Sequence, residues 1–444
     1  MIKLRGGATA TNTLWSLANE GLTLVAATLS VLLLIPHLGP TQYGAFAGLF
    51  ALVGPFAAFA QSGVQLSILE HTVGTDQRPG DVVRSCGTLA LTVSALVAPP
   101  VVLLGALFFD ALSVSTIIFF VVTELIVQAV LLAIVATIQG SYSYSTGIVF
   151  RSLGQVLRIV VLIVLVAVGR LTLAHLAVAN FVAVVAYTAV LAVMTPRFGL
   201  GVLRPAAIER RHARSAFTYA FGLSASITQN DGDKVVLNAA NHSASSGVYA
   251  AAYRLVTIGM VPLTAFTSST HFAVLRSVRD SVDQLQKAKR FALVGAVYAV
   301  PMTLLLILVA PLVPKLLGDD FNGATTMIRL LSPVLLLRGL GVFAINGLLG
   351  LDRNRLRSEI LVGNAVLSVV LYIALIPPFS WGGAVAATLI VESTLFMSAW
   401  ISLAVCQRRA NAMVATGDAG VLHRLANDRT AEATAQASVS QEGV

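Results

Sequence analysis

LSVSTIIFFVVTELIVQAVLLAIVATIQ, residues 112–139, contains a single ionisable side chain, Glu124. The hydrocarbon core of a bilayer is about 30 Å thick, and about 20 apolar residues in a helix cross it. The stretch is long enough to do so and has no polar face to present to water, so it reads as a membrane-spanning helix. Working outward from it, eleven further runs have the same character, at 14–35, 43–63, 86–109, 149–169, 171–194, 216–240, 247–272, 291–316, 324–350, 359–379 and 381–405. None alternates apolar with polar residues as the strands of a membrane barrel do. Lipid offers no partner to free backbone groups, so each run is expected to be helical. Lys3 and Arg5 precede a first run too long for the apolar core of a cleaved signal peptide, which is therefore read as an uncleaved first span.

Composition agrees. Of 444 residues, 57% are hydrophobic and 11% charged, with a mean hydropathy of +0.85; a soluble chain carries about 25% charged residues. The formal charge of +9 does not indicate nucleic acid, because the basic residues sit in short loops between the spans. With twelve spans, the loops and terminal segments on the amino-terminal side, together with Arg151 at the adjoining start of its span, hold 22 of the 29 Lys and Arg residues; the opposite side holds Arg170 and Lys315. Positive charge collects on the cytoplasmic side, so both termini are expected in the cytoplasm and the chain in the plasma (inner) membrane. Cys86 and Cys406 lie too far apart in sequence to suggest a metal or disulfide framework.

The basic segment 197–215 divides the chain into two six-span halves, 1–196 and 216–406, and the polar segment 407–444 reads as a disordered cytoplasmic tail. The second span of each half opens alike. Gly44-Ala-Phe-Ala-Gly-Leu-Phe-Ala-Leu-Val53 aligns with Gly247-Val-Tyr-Ala-Ala-Ala-Tyr-Arg-Leu-Val256, matching glycine, aromatic, alanine, aromatic and Leu-Val. An even number of spans per half makes these parallel repeats. Gly44 and Gly48 also form a GxxxG pair, a common and weak signal in an apolar span.

Several stretches resemble those of polysaccharide flippases: Leu38-Gly-Pro-Thr-Gln-Tyr-Gly44 between the first two spans, Asp231-Gly-Asp-Lys-Val-Val-Leu237 with Gly247–Arg254, Gly350-Leu-Asp-Arg353, and Ile376-Pro-Pro-Phe-Ser-Trp-Gly-Gly-Ala-Val-Ala-Ala-Thr388. Their order and spacing over residues 10–405 resemble a Wzx-type flippase of the multidrug/oligosaccharidyl-lipid/polysaccharide exporter superfamily. The resemblance implies an all-α integral membrane protein with two six-helix lobes around a central cavity, and alternating access. It also implies that the substrate is an oligosaccharide on a polyprenyl pyrophosphate carrier, with the polymerase and glycosyltransferases of the same pathway as further partners. Related lipid II flippases have fourteen helices, two more than this chain, which makes a peptidoglycan precursor the less fitting substrate. A drug/cation antiporter of the same superfamily, or a multispanning glycosyltransferase, is the alternative.

Ionisable groups within a bilayer are costly and mark candidate sites. Glu20, Glu124, Asp231, Asp233 and Glu392 are the candidate coupling or cavity carboxylates. Arg158, Arg254, Arg338 and Lys234, with Gln155 and Asn230, are the candidate pyrophosphate-binding groups, since a planar guanidinium engages phosphate oxygens two at a time. Internal ion pairing is the plainer reading for each of them. Asp231, Lys234 and Asn238 fall on one helical stripe, which must face a wet cavity or another helix rather than lipid. Asp231-Gly-Asp233 is not read as a metal-binding pair, because successive odd positions of a helix diverge. No phosphate-loop motif occurs and no cofactor is expected, so the chain does not hydrolyse ATP itself. The loops on the side opposite the termini are short, which argues against a membrane enzyme and for a transporter.

Overall fold

The computed structural model describes residues 6–72, 79–195, 206–276, 283–351 and 353–415, and among them there is no strand. The helices are α1 (Gly6–Ala57), α2 (Gly63–Thr72), α3 (Pro79–Phe108), α4 (Val114–Val121), α5 (Gln128–Ser141), α6 (Tyr144–Ala167), α7 (Leu173–Met194), α8 (Arg210–Ala239), α9 (Ser243–Arg276), α10 (Gln284–Val309), α11 (Val313–Leu317), α12 (Ala324–Leu331), α13 (Pro333–Gly350) and α14 (Asn354–Ala415). Nine helical stretches among the described residues are long and apolar enough to cross a membrane. Two of these are each a pair of spans, and α8 adds one more, giving twelve.

The first pair is α1, which turns back at Gly39 (φ 69°, ψ 170°), a conformation glycine adopts without a Cβ penalty, between Pro36 and Pro40. Contacts on either side of the turn show the reversal. Asn19 accepts a hydrogen bond from Ser152 near the start of α6, while Thr72, at the far end of the returning helix, packs on Gly140 at the end of α5. The second pair is α14, which reverses at Ser380 (φ 51°) just after Pro377-Pro378, so that Gly383 lies against the Leu375 carbonyl. A serine at this sparsely populated positive φ costs about 1–3 kcal/mol.

Spans two and four each contain a π-helical segment, Ala58–Ser62 and Val122–Val127. Such a segment disturbs the regular ladder of backbone hydrogen bonds, which in lipid must be satisfied from elsewhere. Gln61 Nε2 donates to the Glu124 carbonyl and Ser94 Oγ donates to that of Leu125 (2.7 Å). On the side opposite the termini, Ser113 and Thr172 cap α4 and α7, and on the side of the termini Ser143 caps α6.

Several boundaries differ from those read from sequence. The second span continues to Thr72 rather than ending at 63, because Val64, Gln65, Ser67 and Ile68 are buried against other helices. Of the segment taken as a linker, residues 210–215 already belong to α8, while Arg197 and Arg204 lie outside the described residues. The tail from Gln407 begins as helix, since α14 runs on to Ala415, with Gln407 Oε1 accepting from the backbone N–H of Gln284; residues 416–444 lie outside the described residues.

The first turn of α8 precedes its span and docks on the first lobe. His212 is fully buried there. Its ring meets that of His71 edge-on (centroids 4.6 Å apart), its Nδ1 lies 3.1 Å from Ser85 Oγ, and its carbonyl accepts from Ser67 Oγ (3.1 Å). Glu209 donates its backbone N–H to Ser85 Oγ (2.9 Å). Burial pushes the His212 pKa down; the Glu209 carboxylate partly offsets this, while His71 and Arg211 add to it. From there α8 runs between the lobes. Ala216, Ile227 and Asn238 meet Gly63, Gly54 and Gly44–Gly48 of span two, and the Gln229 carbonyl accepts from Tyr372 of span eleven (2.7 Å).

Candidate functional site

Four elements of the second lobe bring charged groups together: α8, α9, α13 and the final span of α14. On α8 the Lys234 ammonium lies 2.8 Å from Asp231 Oδ1 and 3.2 Å from Asp233 Oδ1, and donates to the Asn230 carbonyl (3.2 Å). The stripe read from sequence thus runs from half-open at Asp231 to fully buried at Asn238. Although the two carboxylates leave the helix in different directions, the flexible lysine stem reaches both. Asp233 is buried and accepts a third hydrogen bond, beyond those from the backbone N–H and ammonium of Lys234, from Tyr249 of α9 (2.5 Å), whose hydroxyl lies 3.1 Å from Thr388 Oγ1.

One turn further along α9, Tyr253 joins this cluster to a second ion pair. Lys234 lies over its ring at 4.4 Å from the centroid and the Arg338 guanidinium at 5.9 Å. Arg338 donates through Nε (2.9 Å) and Nη2 to one oxygen of Glu392, which is 1% exposed; the other oxygen, Oε2, is buried with no partner. Charge is nearly balanced. Asp233 with Lys234 and Glu392 with Arg338 neutralise one another, and the half-exposed Asp231 adds a negative charge at the edge.

Arg254 is different. It is exposed and forms no ion pair among the described residues. It lies eleven residues into α9, about 16 Å at 1.5 Å per residue, roughly halfway through a bilayer core.

The first lobe holds a separate pair. Arg158 Nη1 of α6 lies 2.8 Å from Glu124 Oε1 in the π-helical segment of span four. Both line a cavity of about 70 Å³ with Phe46, Phe50, Phe120 and Asn180. Arg158 Nη2 and Asn180 Oδ1 are buried without a hydrogen-bond partner. Gln155, three residues before Arg158, is bonded through Oε1 to Thr23 of span one (3.1 Å). The arginines named as one candidate phosphate site therefore divide: Arg158 belongs to the first lobe, Arg338 and Arg254 to the second. The Glu20 side chain lies outside the described residues. No group of three His, Cys, Asp or Glu placed to hold a metal ion occurs among the described residues.

Sequence reasoning missed Tyr249, Tyr253, Tyr372 and Thr388, since an aromatic or threonine in an apolar run reads as packing. The repeat carried the signal, because Tyr249 and Tyr253 stand where the first half has Phe46 and Phe50.

Residues 37–326 match the family described as polysaccharide biosynthesis protein. The chain belongs to that family. Its fold is shared with solved transporters of the multidrug/oligosaccharidyl-lipid/polysaccharide exporter superfamily. A MATE-family multidrug resistance transporter in its inward-facing conformation superposes with a TM-score of 0.67 at 14% identity, covering 87% of this chain and 96% of that one. An outward-facing MATE-family structure gives 0.57 at 15% identity, over 88% and 94%. The lipid II flippase MurJ, in an inward closed conformation, gives 0.63 at 12% identity, over 89% and 87%. Comparison with curated proteins found no match. This member of the polysaccharide biosynthesis family is thus a multi-pass membrane protein of two six-span lobes, with an ion pair within the spans of each.

Proposed function

We propose that the protein moves an oligosaccharide linked to polyprenyl pyrophosphate from the cytoplasmic to the outer leaflet of the plasma membrane, by alternating access between its lobes. Arg254 carries this reading: a mid-membrane guanidinium that is exposed and unpaired must face a wet path or an anionic ligand. Leaving a bare pyrophosphate in hydrocarbon would cost tens of kcal/mol, and Arg254 offers the planar fork that suits phosphate oxygens. Arg338, engaged by the buried Glu392 and lying 5.9 Å from the centroid of the Tyr253 ring, sets the local field in this reading rather than binding directly. The family's description, polysaccharide biosynthesis, supports a saccharide cargo, and the likeness in fold to a lipid II flippase supports a lipid-carried form. An uncompensated arginine would repel a cationic drug, which disfavours the antiporter reading. Both termini, with most of the basic residues, sit on the cytoplasmic side in this proposal.

The test is reconstitution. Vesicles carrying labelled polyprenyl-pyrophosphate oligosaccharide are expected to transfer it between leaflets with the native chain. Arg254→Ala should slow transfer by about 10- to 100-fold, the worth of a charge-assisted hydrogen bond. Arg254→Lys should restore only part of the rate. Equal rates for all three proteins would overturn the assignment of Arg254, and no transfer by the native chain would overturn the substrate. A potassium/valinomycin potential, at equal pH and without sodium, adds a second readout. Moving one charge through 100 mV is worth about 2.3 kcal/mol, so transfer of a pyrophosphate should follow the size and sign of that potential.

A further inference from the structure

Gly44 and Gly247 open the two copies of the repeated segment, and in the fold they meet. A methyl group on Gly44 would overlap the Ser243 carbonyl and lie 2.6 Å from the Gly247 nitrogen. One on Gly247 would overlap the Pro40 carbonyl and lie 3.0 Å from the Gly44 nitrogen. Span two and α9 therefore cross backbone to backbone, with no side chain between them, at their ends farthest from the termini. Such a crossing joins the lobes without interdigitated side chains, so it can part without repacking either core.

Asn238 secures it. The residue is 1% exposed, and its Nδ2 lies within reach of three acceptors, Gly44 O (3.1 Å), Lys234 O (2.8 Å) and Ser246 Oγ (2.9 Å), with two hydrogens to share among them. Gly48 has no room for a Cβ because the Asn238 amide fills that space. Asn238 is also one turn from Lys234 on the same helix, so the group that grips the crossing is borne by the turn that carries the charged cluster.

We infer that Asn238 is a positioning residue that holds the lobes closed on the side opposite the termini, and that the Gly44–Gly247 crossing is the seal it holds. The inference deepens the transport reading and rests on it only for the meaning of the movement. Loss of the amide removes the donor that spans the lobes. A methyl at either glycine forbids the crossing altogether. All three changes shift the protein the same way, toward a form open on that side, and slow transport by disturbing the balance between the two forms.

Ala250, 4% exposed on α9 just beneath the crossing, provides the probe. In a full-length chain with Cys86→Ala and Cys406→Ala, Ala250→Cys is treated with a membrane-impermeant maleimide added on the side opposite the termini. Asn238→Ala, Gly44→Ala and Gly247→Ala are each expected to raise its labelling rate about fivefold or more, the scale of one net hydrogen bond. Gly222→Ala, on α8 where a methyl would meet no atom within 4 Å, should leave the rate unchanged. Ala288→Cys, buried at the other end of the second lobe, reports unfolding and should stay protected throughout. Unchanged Ala250→Cys labelling in both Asn238→Ala and Gly247→Ala, with Ala288→Cys protected, overturns the inference; so does labelling that rises equally at both cysteines. Faster labelling at Ala250→Cys alone, in a protein that moves no saccharide, retains the seal and rejects the proposed substrate.

Discussion

The two lobes carry the same aromatic pair at equivalent positions and use it differently. In the first, Phe46 and Phe50 both pack against Phe120 (5.8 and 6.2 Å) and wall a cavity in which Arg158 keeps one nitrogen without a partner. In the second, Tyr249 and Tyr253 add hydroxyls and ring faces that knit Asp233, Lys234, Arg338 and Glu392 into one cluster. Two hydroxyl groups thus accompany the difference between a loosely held ion pair beside a cavity and a tightly packed network. The two lobes share this stretch of sequence, and the polarity of a few positions decides which lobe holds its charges rigidly.

The comparison breaks most readily at the arginines. Arg338→Ala strands Glu392, 1% exposed, and should cost about 3–5 kcal/mol in denaturant unfolding of the purified protein. Arg158→Ala leaves Glu124, 15% exposed and beside a cavity, and should cost about 1–3 kcal/mol. Equal losses would mean that the lobes are held alike. A double replacement by apolar residues, Arg338→Met with Glu392→Leu, should recover most of the stability without recovering transport, because two buried charges disappear together.

Tyr249→Phe sharpens the comparison at smaller scale. It removes a donor from buried Asp233 and should cost about 1–3 kcal/mol in the same measurement. A neutral result would show that Lys234 alone satisfies that carboxylate.

The smallest expected effect lies where α8 enters the first lobe. His212 has its pKa lowered by burial, so below an unfolded value of about 6.5 the unfolded chain takes up the proton first. Its contribution is present in full above that pH and drains away as pH falls below it. Thermal midpoints measured between pH 7.5 and 5 should fall for the native chain, and fall less steeply for His212→Asn. Identical slopes would remove His212 from the account.

Much of the fold was legible because lipid permits few solutions: apolar run length and charge asymmetry fix twelve spans. The second span's extension to Thr72 was not, since Ser67 and Glu70 look like loop until their partners on α8, His212 and Ser215, are known. The Gly44–Gly48 pair was visible but uninformative, for GxxxG names a close approach without naming what approaches. The candidate site was half legible. Each intramembrane charge could be picked out, but Glu124 and Arg158, or Arg338 and Glu392, lie on different spans, and no local spacing joins them. Only Lys234 with Asp231 and Asp233 was a neighbourhood the helix itself defines. That Arg254 forms no ion pair among the described residues is a fact of the fold, which sequence alone does not supply.

Helix α8 crosses the bilayer, yet it is not among the stretches apolar enough to do so unaided. An isolated Asp or Lys at mid-membrane resists insertion by about 2.5–3.5 kcal/mol, and α8 carries three such groups. During synthesis the chain must nonetheless commit it before Tyr249 exists to bond Asp233, or Tyr372 to bond the Gln229 carbonyl. Two things are already in place. Lys234 brings its own counter-charges on the same turn, and span two presents Gly44, Gly48, Gly54 and Gly63 as a track of small residues fitted to Asn238, Ile227 and Ala216. The first six spans thereby become a mould, and the seventh is cast against them before the eighth arrives.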